Sequence, residues 1–308
     1  MDTKRSILQE IKVPIFENRG ISLFIKRDDL IHQEISGNKW RKLKYNIALC
    51  ESKKKDGILT FGGAYSNHLV ATAAACKKAS LASLGLVRGE ELNAESNSTL
   101  KRCAELGMEL KFISREEYAM RNDKAYHETL GADFPSLQLV PEGGANYYGM
   151  IGCQELMKEF DAEFDHIFLA QGTTTTSCGV VFGTKSNQRV HVVPALKGFD
   201  SIEEMKALFA KTGIDAETIS DLLERVIVHP DAHFGGYAKF TDELINFIRA
   251  FYQQHSIKLD PIYTGKAMYE LMQQLESSEY DNSNILFIHT GGLQGIPGVE
   301  NKLGEKLF

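Results

Sequence analysis

Apolar and polar positions along the 308-residue chain fall into repeated blocks. Ile58–Phe61 is a short apolar run that ends in Gly62-Gly63. The alanine-rich SNHLVATAAACKKA follows, with Ser66 placed to cap a helix N-terminus. This pattern predicts strand, turn, helix. The unit then recurs. SLGLVRG (83–89) predicts a strand, residues 96–106 a helix, LKFIS (110–114) a strand and 114–130 a helix. LQLVPEGG (137–144) is a strand ending in glycines, with a helix over 147–160. HIFLAQG (166–172) is a strand before a threonine-rich turn, and HVVPAL (191–196) a strand before helices around 200–224. VIVHP (226–230) is a further candidate strand, and helices over 240–255 and 264–277 precede a closing strand in NILFIHTGG (284–292).

Strands alternating with helices imply right-handed crossovers and mostly parallel sheets, an α/β fold. The length suits two domains or one large α/β unit. In open α/β sheets, ligands bind outside the carboxyl ends of the strands. The turns GGAYSNH, PEGGANY, QGTTTT and HTGG are therefore candidates for one cleft, although glycine also serves as an ordinary turn residue.

Charge and cysteine usage narrow the function classes. A formal net charge of −6 gives no general attraction for nucleic acid or an anionic membrane. No apolar run is long enough to span a bilayer, and MDTKRSILQE lacks a signal core, so a cytoplasmic protein is expected. Cys50, Cys76, Cys103, Cys153 and Cys178 are odd in number and widely spaced, with no C-x-x-C pair. Reduced structural thiols are expected, with neither a disulfide framework nor a metal site.

Two stretches suggest chemistry. QGTTTTSCG (171–179) lies between an apolar strand and a helix, where backbone N–H groups, the helix dipole and threonine hydroxyls favour an anion. It lacks the G-K-[ST] ending of a P-loop and the G-x-G-x-x-G dinucleotide spacing, so a simple monophosphate fits better. The alternative is a threonine-rich loop with capping hydroxyls. In SGNKWRKL (36–43), Lys39 is preceded by Gly37 and Asn38 and followed by the only tryptophan, Trp40. A desolvated lysine gives up its proton more readily, and its neutral amine attacks carbonyls. The alternative is a surface lysine on a basic turn. A reactive lysine plus a monophosphate cradle suggests pyridoxal 5′-phosphate (PLP). In AYSNH (64–68), Asn67 would meet the ring's phenolic oxygen, while Ser66 and the turn N–H groups would meet a substrate carboxylate.

These residues resemble the D-cysteine desulfhydrase and 1-aminocyclopropane-1-carboxylate (ACC) deaminase family of PLP enzymes. The resemblance runs through IKRDDLIHQEISGNKWRKLKYN (25–46), LTFGGAYSNHLVATAAA (59–75), AQGTTTTSCG (170–179), LDPIYTGKAMYEL (259–271) and ILFIHTGG (285–292). It implies the tryptophan synthase β-like fold type II: two open, mostly parallel twisted sheets flanked by helices. The larger PLP-binding domain would comprise residues 1–45 plus 155–308, and the smaller inserted α/β domain residues 46–154, with the cofactor between them. Relatives are commonly homodimers.

Carried over by residue, the resemblance implies that Lys39 holds the cofactor covalently and moves the α-proton. Asn67 would bond the phenolic oxygen, Gly172, Thr173, Thr174, Thr175 and Thr176 the phosphate, and Thr290 the pyridine nitrogen. Ser66, Asn67 and His68 would approach the substrate carboxylate, with Ser66 also a candidate proton carrier. Tyr263 would lie over the substrate or ring face, with Tyr237 a further active-site candidate. ACC deaminases carry glutamate after the tyrosine and leucine in the last glycine motif. Thr264 and Thr290 stand there and match the desulfhydrase branch. A neutral threonine at the pyridine nitrogen favours elimination. The reading is a PLP-dependent lyase releasing pyruvate, ammonia and sulfide from D-cysteine. Alternatives are an ACC deaminase releasing 2-oxobutyrate and ammonia, or a PLP- or ligand-binding protein with little catalysis. The chain departs from the family where Thr174 and Thr175 replace smaller residues, and where Val70-Ala71 stands in place of an arginine.

Overall fold

GILTFG (57–62) is buried at every position, as expected of a central strand in a parallel sheet covered on both faces. The computed structural model describes residues 3–35 and 37–308. Its strands are β1 (Leu8–Ile11), β2 (Ser22–Lys26), β3 (Gly57–Gly62), β4 (Ala82–Arg88), β5 (Glu109–Ile113), β6 (Leu137–Val140), β7 (His166–Gln171), β8 (Arg189–Pro194), β9 (Val226–Val228) and β10 (Asn284–Ile288).

The chain divides into two compact units, Met1–Asn38 with Gln154–Phe308, and Lys39–Cys153. The first holds a six-stranded sheet ordered β1-β2-β10-β7-β8-β9, parallel except for the β1–β2 pair. The second holds an all-parallel sheet ordered β5-β4-β3-β6. Both are flanked by helices, so this is the α/β, two-sheet fold that the sequence implied.

The smaller unit begins before residue 46 because the helix Asn38–Ser52 packs on residues 144–152. Asn46 and Asn146 exchange side-chain hydrogen bonds (2.7 and 3.3 Å), and a Cβ on Gly152 would lie 1.9 Å from the Arg41 carbonyl oxygen. That helix goes unread in sequence because Arg41, Lys42 and Asn46 are buried, which breaks its apolar periodicity. β1 and β2 are likewise unread; in β1 only Ile11 is buried. The long helix expected over 114–130 is two, Arg115–Ala119 and Lys124–Asp133, because Asp123 caps the second by accepting from the Tyr126 N–H (2.9 Å). All five cysteines are buried and none forms a disulfide; burial pushes the Cys76 and Cys103 thiols up to about 12. No described helix is long and apolar enough to cross a membrane.

Candidate active site

β7 ends at Gln171 and delivers Gly172–Thr174 to the N-terminus of the helix Thr175–Gly183. Gln171 fixes this loop. Its amide donates to Ser177 Oγ (2.7 Å), the Ser177 hydroxyl donates to the Thr174 carbonyl (2.8 Å), and Ser201 donates back to Gln171 Oε1 (2.5 Å). Thr174, Thr175 and Thr176 are buried. Thr174 has φ −73° and ψ −8°, an ordinary helical conformation, so threonine in place of a smaller residue costs the loop nothing there. Its side chain makes no capping bond, and Thr175 Oγ1 is buried with no hydrogen-bond partner. A buried polar group left unmade costs roughly 1–3 kcal/mol. An orphan hydroxyl at a helix N-terminus is relieved by an anion's oxygen.

Two other segments meet this loop. β10 delivers Thr290, which is buried beside His289; His289 Nε2 is 2.7 Å from the Lys258 carbonyl, and its Nδ1 accepts from the Gly291 N–H (3.3 Å). The Asn38 N–H donates to the Thr290 carbonyl (3.2 Å), and Asn38 Nδ2 donates to Thr176 Oγ1 (2.9 Å). Gly37 has φ +58°, and a Cβ there would lie 1.9 Å from the Thr290 carbonyl oxygen. No other residue fits, for want of both space and conformation. The half-buried Lys39 follows directly, in the first turn of the helix Asn38–Ser52. The residue before the lysine is therefore tied to both the threonine loop and the Thr290 loop.

Tyr263 lies against Gly172, where a Cβ would come within 2.9 Å of the ring. Asp260 holds Tyr263 in place. Its carboxylate accepts from the N–H groups of Ile262, Tyr263 and Thr264 (2.9, 2.8 and 3.0 Å) and from the Thr264 hydroxyl (2.7 Å). Burial raises the Asp260 pKa, opposed by these hydrogen bonds. Thr264 is fully buried and its hydroxyl is committed to Asp260. Tyr237 is 47% exposed and meets Tyr263 edge to face, centroids 6.2 Å apart.

In the smaller unit, Ser66 caps the helix Asn67–Lys78, its Oγ accepting from the Leu69 N–H (3.4 Å). The Asn67 and His68 N–H groups fall in the first turn, where helix N–H groups lack intrahelical partners and favour a carboxylate. The His68 side chain is buried. Thr60 donates its one hydroxyl proton to the Val140 carbonyl (2.7 Å), so His68 Nε2, 2.9 Å from Thr60 Oγ1, is the donor of that pair. His68 Nδ1 is then a bare acceptor, buried without a partner. Burial, with the charges of Lys39 and Lys42, pulls its pKa from 6.5 to about 3. A neutral acceptor does not attract a carboxylate, so the part of His68 suited to that role is its N–H.

Gly172–Thr176, Thr290, Tyr263 and Tyr237 thus form one neighbourhood, together with Asn38. Lys39 acts electrostatically on His68, beside Ser66 and Asn67. Asp260, Gln171 and Asn38 are unread from sequence. An acidic residue just before a predicted helix was a usable signal for Asp260. No local pattern announces that Asn38 pairs with Thr176. In the larger unit, helix-end donors and an orphan hydroxyl form a donor set that fits the phosphate of PLP. Among the described residues, no group of three or more His, Cys, Asp or Glu side chains is placed to hold a metal ion.

Comparison with known proteins agrees with this chemistry. Residues 8–291 match the family model described as pyridoxal-phosphate dependent enzyme. A Pyrococcus horikoshii protein, provisionally named 1-aminocyclopropane-1-carboxylate deaminase, is 32% identical over 90% of this chain and 86% of its own length. The bifunctional D-cysteine desulfhydrase/1-aminocyclopropane-1-carboxylate deaminase of Arabidopsis thaliana is 31% identical over 90% of this chain and 74% of its own. The crystal structure of an ACC deaminase homologue matches with a TM-score of 0.78 at 27% identity, covering 97% of this chain and 93% of that one.

Proposed function

From the premise that the chain belongs to the pyridoxal-phosphate-dependent enzyme family, among relatives of the D-cysteine desulfhydrase and ACC deaminase kind, we propose that it eliminates the thiol of D-cysteine, releasing pyruvate, ammonia and sulfide. The observation that supports this best is the double tie of Asn38 to Thr290 and Thr176, which sets Lys39 one residue from both loops. When bound, PLP supplies an electron sink for the substrate's α-carbon.

In this reading Thr173–Thr176 hold the phosphate with hydroxyls and helix N–H groups, and Gly172 leaves room for Tyr263. Lys39 holds the cofactor and takes the α-proton, while Asn67 donates to the phenolic oxygen. The Ser66 hydroxyl and the first-turn N–H groups bind the substrate carboxylate, with Ser66 also a proton carrier. Tyr263 and Tyr237 cover the substrate. Thr290 meets the pyridine nitrogen with a neutral hydroxyl, which suits loss of a β leaving group. The larger unit is then the cofactor-binding domain, and the enzyme works as a cytoplasmic homodimer, which light scattering would test at twice the monomer mass. ACC deamination is the second reading, favoured by the names of the relatives.

The deciding experiment measures keto-acid release by PLP-loaded protein with D-cysteine and ACC side by side. Pyruvate and sulfide from D-cysteine alone are expected. 2-Oxobutyrate from ACC would overturn the substrate assignment. Lys39→Ala is expected to abolish both turnover and the lysine-bound cofactor absorbance; a noncovalent nucleotide site would survive it. Intact absorbance with no product from either amino acid would leave a cofactor-holding protein with another substrate.

A further inference from the structure

Tyr237 sits in a turn that needs outside support. Phe234 (φ 50°), Gly235 (φ 89°), Gly236 (φ 115°) and Ala238 (φ 54°) all adopt left-handed backbone. Such conformations are unfavourable for phenylalanine and alanine and persist only where surrounding contacts impose them. Lys266 supplies those contacts. It lies one turn beyond Tyr263 in the helix Thr264–Gln274 and is only 1% exposed. Its Nζ donates to the carbonyls of His233 (2.7 Å) and Gly236 (2.8 Å). Burial lowers its pKa to about 8 against the opposing pull of Asp260, so the ammonium form prevails at neutral pH and both bonds are charge-assisted. The same helix end fixes Tyr263 through Asp260. One short stretch, Asp260 to Lys266, therefore anchors both tyrosines.

We propose that Lys266 is a positioning residue for the reaction: its ammonium holds the 233–238 turn so that Tyr237 stays edge-on against Tyr263. This rests on the assignment of the two tyrosines to the substrate side. Lys266 touches no reacting atom and acts through Tyr237.

The test compares PLP-loaded wild type with Lys266→Met, Lys266→Gln, Tyr237→Ala and the Lys266→Met/Tyr237→Ala double variant. Amide hydrogen exchange over residues 233–239 is expected to quicken about a hundredfold in Lys266→Met, about tenfold for each of the two charge-assisted bonds lost. KM for the amino acid should rise about tenfold with kcat within about twofold, since substrate positioning is lost and the proton-moving lysine is not. Lys266→Gln, with two N–H donors on one nitrogen, should recover part of both effects. In the Tyr237→Ala background, Lys266→Met should cost little more. Unchanged exchange over 233–239, or an additive loss in the double variant, would overturn the proposal. If Lys266→Met does not fold, Lys266→Gln against wild type carries the same comparison. If wild type turns over neither amino acid, the substrate assignment has failed, and the exchange result alone decides the tether.

Discussion

Gly37 carries two constraints at once, and each has a measurable size. Its left-handed backbone would cost a substituted alanine on the order of 1–2 kcal/mol. The Thr290 carbonyl, 1.9 Å from the position of an added Cβ, would force the backbone to shift as well. Gly37→Ala should therefore lower the melting temperature and weaken PLP binding together, because the shift moves Asn38 and with it Lys39. A variant that loses stability but binds PLP normally would show that the Gly37–Thr290 contact does not set the lysine. Thr175 makes the opposite case. Thr175→Val removes a buried hydroxyl that has no partner, so the apo protein should lose no stability. PLP titration of the same variant should show affinity about tenfold lower, the worth of one hydrogen bond to a charged group. Equal affinity would remove Thr175 from the phosphate site. Thr264, by contrast, hydrogen-bonds Asp260. Thr264→Glu would set a second carboxylate against that buried one, and should be destabilising whatever it does to substrate choice.

Among the elements, the helices Thr175–Gly183 and Thr264–Gln274 do most to build the site, and both are specified at their N-termini. The first is apolar beyond its opening Thr-Thr-Ser and buried through Val181, so its orientation is set by packing and its first turn is left to the threonines. The second starts at a carboxylate, not a hydroxyl. Asp260 accepts three N–H groups and so replaces a conventional cap. Asp260→Asn keeps the shape but loses the charge and one acceptor. Stability should drop by about 1–3 kcal/mol by urea unfolding, and KM should rise as Tyr263 loosens. Unfolding unchanged within about 0.5 kcal/mol would mean that packing alone holds the turn.

At the scale of the whole molecule, buried histidines set the response to acid. His191 lies between His166 and His229, each 2.9 Å away, and His229 pairs with Glu270 (2.9 Å). His191 is fully buried and stacked on Phe168 at 4.0 Å; burial pulls its pKa to about 2, helped by the two neighbouring rings. His68 in the other unit is pulled to about 3. Both folded values lie below the ordinary 6.5, so between them the unfolded chain binds more protons. Stability is therefore full above pH 6.5 and falls as pH drops, on the order of 1 kcal/mol per pH unit for each histidine. Urea midpoints at pH 7 and pH 5 should differ accordingly. His191→Phe, though less stable at pH 7, should show a shallower acid slope; an identical slope would exclude His191 as a source. The sequence by itself determined most of the alternation of strand and helix, through local periodicity, and the cofactor family, through the ordered motifs around Lys39, Asn67, the threonines and Thr290. Only the tertiary structure decided the neutral state of His68, the Asn38–Thr176 bond, the seating of Tyr263 by Asp260 and the burial of Lys266. Those depend on which distant residues meet in a low-dielectric interior, where the cost of an unpaired polar group is set by its partners and not by its position in the chain.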